Sequence, residues 1–425
     1  MKPKILLLSD DIRSVSGVAR ISKDLILNTV DRFDWVQISA KLSKVDTGQI
    51  IDVSESVSSI TGIKDANVKL YSNAGYGDEM VLNRVLEMES PVAILHITDP
   101  RYWSWLYAME RQIRTQIPIC YYHVWDNDPA PRFNTGAYKS CDWIGCISKL
   151  TYNLVKEVDV ERESWQTEYI PHGSCPNTFF PMKSEDLTKF KQTVCNEKQY
   201  DFIILSNNVN IPRKQLPSII SAYSTFGDQL DKDASNRILL LFHTDPSFQG
   251  GADLRTLADA LCPSYDIAFS NVILNDMNLN SMYNIADVTI NVASNEGFGL
   301  STLESMFTGT PIIVSKTGGL VDQTTTQSGE TGEWCSVVKP KTRNLTGSQP
   351  VPYIYSDLCD EKDIVSAMKY WYDMSPSDRI TKGILGREYA QENLNTKLMC
   401  TRIADGLSCT IENFKPQPRI SLIEI

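Results

Sequence analysis

Two glutamates, Glu296 and Glu304, stand eight residues apart in the stretch SNEGFGLSTLESMFTGTPIIVSKTGGLVD, from Ser294 to Asp322. Paired carboxylates suggest acid–base work on a glycosidic bond, so their separation is the deciding quantity. Eight helical residues span about 12 Å at roughly 1.5 Å per residue. Retaining glycosidases hold their pair about 5–5.5 Å apart and inverting ones about 6.5–9.5 Å. The spacing suits two contacts along one extended ligand better than a hydrolytic pair, although a folded loop shortens it. Gly297, Phe298, Gly299 and Leu300 follow the first glutamate. Glycines let a backbone approach a ligand closely, and a helix amino terminus carries unpaired N–H groups with about half a positive charge. That combination suits a diphosphate. Upstream, Arg213 and Lys214 form a cationic pair, and an arginine can engage two phosphate oxygens at once. Each also has a plainer reading alone: Glu296 as a solvated loop residue, Glu304 as a surface helix residue, the basic pair as exposed charge at a helix start.

The elements that must position these groups alternate between strand and helix. VTINVA, from Val288 to Ala293, reads as a buried strand, Leu300 to Thr308 as a helix ended by Gly309, and PIIVS as a second strand closed by Lys316–Gly319. Such a unit puts its functional loops at the carboxyl ends of parallel strands. YDFIILS starts another strand before Arg213 and Lys214, and RILLLFHTD and NVILN supply two more. At the amino terminus KILLLS reads as a strand, and Ser16, Gly17 and Val18 open a helix. The loop between them is not GxGxxG, so a nicotinamide fingerprint is missing. IPICYYHVWDND places His123 at the end of a strand. A lone histidine is more often structural than catalytic, but this position is the strand edge where ligands bind in open parallel sheets. The aromatic stretch from Arg101 to Arg114 reads as an amphipathic helix, with a surface stacking sugar rings or bases as the sharper option. Gly329–Tyr355 reads as an extended loop.

A chain of 425 residues fits two domains. YIPHGSCPNTFFP, rich in Pro and Gly, marks the boundary, giving residues 1–175 and 182–409, with the tail 410–425 assigned to a return onto the first domain. No apolar run approaches the roughly 18 residues of a membrane span, and the chain enters a strand almost at once. A cytoplasmic location with reduced thiols is therefore expected for the ten cysteines. Cys141 and Cys146 lack zinc-ligand spacing with any partner, so no metal site is expected. The formal charge of −11 gives no broad attraction to nucleic acid or an anionic membrane.

The glutamates eight residues apart with GFGL after the first, then GTP and a GG turn, resemble the donor-binding signature of retaining GT-B glycosyltransferases, the group 1 or family 4 class. The resemblance is strongest over Leu279–Asp322. It implies an α/β chain of GT-B architecture, with two Rossmann-like doubly wound domains facing across a cleft: 1–175 on the acceptor side and 182–409 binding the nucleotide sugar. By that resemblance Glu296 contacts the donor sugar, Glu304 the nucleotide ribose, Arg213 and Lys214 the diphosphate, His123 the sugar, and the Gly17 loop the diphosphate and acceptor. Gly297, Phe298, Gly299 and Leu300 border the donor. The reaction implied is retaining transfer from a nucleotide-diphosphate sugar, as co-substrate, to a hydroxyl of a glycan, lipid-linked or small-molecule acceptor. No further cofactor and no metal is required, and DND at 126–128 is the nearest thing to a DxD motif. Two competitors stay open. One is transfer to a modified base in DNA, which the net acidity disfavours. The other is a non-catalytic protein that closes on a nucleotide sugar.

Overall fold

KILLLSD becomes β1 (Lys4–Asp10), buried along nearly its whole length. A parallel strand covered on both faces needs no polar alternation, which is why the run is continuously apolar. In the computed structural model, which describes residues 2–40, 47–73 and 75–418, β1 pairs in parallel with β2 (Asp34–Ala40) and with β5 (Ala93–Thr98). Between these come β3 (Ile50–Asp52) and β4 (Val68–Ser72), and beyond them β6 (Ile119–His123), β7 (Trp143–Cys146) and β8 (Thr167–Tyr169). The eight strands run in the order β3-β4-β2-β1-β5-β6-β7-β8. All described pairings in this sheet are parallel except β3 with β4 at the edge.

The second sheet contains β9 (Phe202–Asn207), β10 (Ile238–His243), β11 (Ile267–Ser270), β12 (Val288–Asn291), β13 (Ile312–Ser315) and β14 (Cys335–Val338). Its order is β11-β10-β9-β12-β13-β14, all parallel. From β9 the chain builds outward through β10 and β11, then returns to add β12 on the other side of β9. That reversal is a topological switch point, where the loops leaving two neighbouring strands diverge and open a crevice. The first sheet reverses in the same way between β1 and β5. Ile204, Leu240, Ile290 and Trp371 belong to the core of the second sheet, and Leu6, Ile38, Trp103 and Tyr121 to that of the first.

The chain divides into one unit of Met1–His172, Ser348–Pro352 and Thr396–Ile425, and another of Gly173–Gly347 and Tyr353–Asn395. The return to the first unit thus begins at Thr396, ahead of residue 410, with the helix Thr396–Asn413. Gly406 explains how that helix docks. A Cβ at this position would lie 2.3 Å from Trp143 Cζ2, so only glycine lets the helix backbone rest on the indole. Arg402 to Glu168 at 2.9 Å and Arg32 to Asp405 at 2.7 Å flank the contact. Two segments differ from expectation. The aromatic stretch after Arg101 is broken into Pro100–Trp103, Ser104–Ala108 and Glu110–Ile113, its start held by the Asp99 carboxylate, which accepts from the Arg101 N–H at 3.0 Å. The region expected as a loop from Gly329 contains β14 and an antiparallel hairpin, β15 (Pro340–Thr346) with β16 (Ile354–Cys359). Gly406→Val should lower stability by about 1–3 kcal/mol, the usual cost of overpacking. A denaturant midpoint unchanged from wild type would refute this account of the docked helix.

Candidate functional site

The switch point between β9 and β12 brings two loops together. The chain leaves β9 at Asn207 and turns through Pro212–Lys214. The chain leaving β12 reaches Ser294, whose N–H donates to the Arg213 carbonyl at 2.7 Å. This backbone tie sets Arg213 and Lys214 beside Glu296. Arg213 Nη1 donates to the Asn295 carbonyl at 2.9 Å and lies 3.4 Å from Glu296 Oε2. The Lys214 ammonium is hydrogen-bonded to the same carboxylate oxygen. The Glu296 side chain is 9% exposed, that of Lys214 11% and that of Arg213 34%, so the arginine offers the wettest of the three charges. Burial by itself would push the Glu296 carboxyl up, but Lys214 and Arg213 outweigh it and hold the group below its ordinary value. Two cations against one carboxylate leave the trio with one surplus positive charge.

The glycine loop is built against a second turn. Gly299 has φ +93, and a Cβ there would meet Leu320 Cδ2 at 2.6 Å. It forms the N-terminal boundary of the helix Leu300–Phe307, which has no side-chain cap. Gly319 donates its N–H to the Glu296 carbonyl at 2.9 Å, and a Cβ on Gly319 would sit 2.2 Å from the Gly297 oxygen. Gln323 Nε2 donates to the carbonyls of Phe298 and Gly299 at 2.7 and 2.8 Å. Carbonyls of the loop are thereby taken up within the fold, while the uncapped helix start favours an anion. Phe298 is buried, so what it offers a ligand is backbone rather than ring. Glu304, also buried, accepts the Tyr283 hydroxyl at 2.7 Å.

Sequence reasoning missed the support from the hairpin. Asp357 on β16 is buried, accepts the Thr317 hydroxyl at 2.7 Å and is paired with Arg343 at 2.6 Å. Its N–H donates to the Ser294 carbonyl at 2.8 Å, and Asn295 Nδ2 donates to the Tyr355 carbonyl at 3.3 Å. The hairpin therefore braces both the Glu296 loop and the turn at Thr317. Nothing in its polar sequence signals this, because its partners lie on loops 40 and 60 residues away.

Gly17 and His123 belong to the first unit. Gly17 is the exposed first residue of a helix capped by Ser16, whose hydroxyl accepts the Ala19 N–H at 3.0 Å. His123 ends β6 fully buried, with Nε2 2.7 Å from the Tyr138 hydroxyl and Tyr121 4.6 Å away, ring to ring. Burial lowers its imidazole pKa to about 3, so it is neutral near pH 7. On the neighbouring strand Thr98 has φ +107, a costly conformation for a β-branched residue. It is held there by Tyr121 on its carbonyl and Trp103 on its hydroxyl, each at 2.8 Å. Among the described residues no group of three or more His, Cys, Asp and Glu is arranged to hold a metal ion. Nor is any described helix long and apolar enough to cross a membrane.

The paired Glu296 makes a pH prediction. A carboxyl whose pKa is lowered in the folded state adds stability above its unfolded value of 4.5 and loses it as pH falls through the folded value. Wild type should lose melting temperature below about pH 4.5, and Glu296→Gln should lose less over the same range. Parallel curves would remove the ion pair from the account.

The family described as glycosyl transferases group 1 matches residues 189–342. An uncharacterised glycosyltransferase of Methanocaldococcus jannaschii is 36% identical over 76 residues, 17% of this chain and 20% of that protein. The match thus spans about a fifth of the relative's length. Among solved structures, sucrose-phosphate synthase from Thermosynechococcus elongatus superposes with a TM-score of 0.70 at 16% identity, covering 97% of this chain and 100% of that one. Anabaena HepE in complex with UDP and glucose gives 0.66 at 14% identity over 96% and 100%. An Escherichia coli trehalose-6-phosphate protein bound with UDP-2-fluoro glucose gives 0.67 at 13% over 95% and 99%. At such identities the likeness is one of fold. Residues 189–342, which hold Arg213, Lys214, Glu296 and Glu304, match the glycosyl transferases group 1 family, and the chain has the GT-B fold.

Proposed function

We propose that this chain is a glycosyltransferase that moves a sugar from a nucleotide-diphosphate sugar to a hydroxyl acceptor. The observation that carries the reading is the meeting of Arg213, Lys214 and Glu296 at a strand switch point, with the uncapped start of Leu300–Phe307 following in the same loop. As a glycosidic bond to a diphosphate ionises, negative charge grows on the departing oxygens. Fixed donors aimed at developing charge are commonly the largest catalytic term. Solved relatives in complex with UDP and with UDP-glucose support UDP-sugars as the first donors to test.

In this reading Arg213, Lys214 and the backbone from Gly297 through Phe298 and Gly299 to Leu300 hold the diphosphate. Glu296 takes hydroxyls of the donor sugar and Glu304 the ribose. Arg213 and Lys214 are shared between Glu296 and the incoming anion, whose charge takes up the positive surplus of the trio. The bond from the anomeric carbon to the β-phosphate oxygen breaks, and the acceptor oxygen bonds to the same face of that carbon. The acceptor's proton passes to the departing phosphate oxygen, and configuration is retained. The two side-chain cations supply the counter-charge, so turnover is proposed to need no divalent metal. The Gly17 loop is assigned to the diphosphate and acceptor and His123 to the sugar, His123 as a neutral hydrogen-bonding group, the state its burial favours.

The test is nucleotide release from UDP-glucose and related donors, with and without chelator, in wild type and Arg213→Ala. The side chain of Arg213 is a third exposed, so its removal should leave the melting transition in place. Release should slow by about 10²–10³, the usual cost of losing one such donor. Wild-type turnover from a folded Arg213→Ala variant would contradict the assignment.

A further inference from the structure

Tyr283 lies on the helix Asp276–Asn284, outside every group the reading above employs. Its hydroxyl sits between two polar side chains. Asn207 Nδ2 approaches it at 2.7 Å, and Glu304 Oε2 lies 2.7 Å away on the other side. The directions follow from chemistry. An amide NH₂ can only donate and an ionised carboxylate can only accept. The phenol oxygen therefore accepts from Asn207 and spends its one hydrogen on Glu304. The relay joins three elements of the second unit: the end of β9, the helix Asp276–Asn284 and the helix Leu300–Phe307.

Everything else about Tyr283 makes it rigid. Its ring is fully buried and meets Phe179 edge-on at 5.9 Å. Its carbonyl accepts the Thr310 hydroxyl at 2.9 Å. The helix that carries it is capped by Asn275, whose side chain accepts the Asn278 N–H at 2.8 Å. A carboxylate on a three-bond stem otherwise samples several rotamers, and fixing one of its oxygens sets the plane of the group. A bond to a charged acceptor inside the protein is also among the stronger hydrogen bonds.

We infer that Tyr283 is a positioning residue: by fixing Oε2 of Glu304 it sets the carboxylate to accept from a ribose diol, and so makes the site favour ribonucleotides over 2′-deoxyribonucleotides. The inference rests on the donor reading of Glu304 given above. A mobile carboxylate can follow whichever hydroxyl remains after the 2′-OH is removed. A fixed one is left with an acceptor unpaired, and an unmet polar group in a buried site is what rejects the analogue.

Tyr283→Phe tests this, since it keeps the ring against Phe179 and deletes only the hydroxyl. UDP and 2′-deoxy-UDP are titrated by calorimetry into wild type, Tyr283→Phe and Glu304→Ala. Wild type should bind UDP about tenfold or more tightly than the deoxy analogue, the scale of one hydrogen bond to a charged group. In Tyr283→Phe the UDP affinity should fall and the ratio should collapse toward one. A role in packing alone would weaken both ligands equally and leave the ratio standing, and that result overturns the inference. Asn207→Ala, at a partly exposed position, is the second variant if Tyr283→Phe does not fold. It should give an intermediate ratio, and a ratio equal to wild type refutes the relay. A wild-type ratio near one also overturns the inference while sparing the donor reading. UDP affinity unchanged in Glu304→Ala, or no binding to wild type of UDP, ADP, GDP or dTDP, brings down the donor reading itself.

Discussion

The adjacency of β9 and β12 is the constraint on which the rest depends. Because the second sheet grows in both directions from β9, the chain leaving that strand and the chain leaving β12 must part at one edge. Arg213 and Lys214 lie on the first of these and Glu296 on the second, 82 positions later in sequence for Lys214. No local preference brings such groups together; strand order does. The Ser294 N–H on the Arg213 carbonyl then locks the two loops, and the hairpin through Asp357 braces the second of them and the turn at Thr317.

The electrostatics follow from that placement. A carboxylate as buried as Glu296 is costly unless matched by positive charge, and here two cations meet it. The two cations, beside a helix start without a side-chain cap, give the site a preference for an anion. The chain as a whole is acidic at −11, so the preference is local, held in the loops after two strands rather than spread over a surface. Around it the glycines are there for space: at Gly319 a Cβ would strike the Gly297 oxygen, so the two turns can touch only without side chains.

Much of this was legible in the sequence. The runs VTINVA and PIIVS placed β12 and β13 to within two residues, and both strands are buried on both faces of a parallel sheet. The helix Leu300–Phe307 followed from its core spacing and from Gly309. What escaped was held by contacts distant in sequence. The hairpin of β15 and β16 is polar, with β15 largely exposed and no alternation to mark it, and its place shows only in contacts such as Asp357 on Thr317 and Asn295 on Tyr355. Gly406 is a poor helix residue by propensity, yet it is what lets the helix Thr396–Asn413 meet Trp143. Tyr283 lies within the helix Asp276–Asn284. That its hydroxyl would fall between Asn207 and Glu304 needed the packing of three elements.

The central claim is that Arg213 and Lys214, with the glycine turn, exist to hold a diphosphate. It is tested most directly by the affinity of UDP against UMP for wild type and for Lys214→Met, measured by calorimetry at fixed salt. If the claim holds, wild type binds UDP about a hundredfold more tightly than UMP, as two charged hydrogen bonds would give, and Lys214→Met loses most of that margin. Equal affinity of wild type for the two nucleotides, or a margin untouched by the substitution, would contradict it.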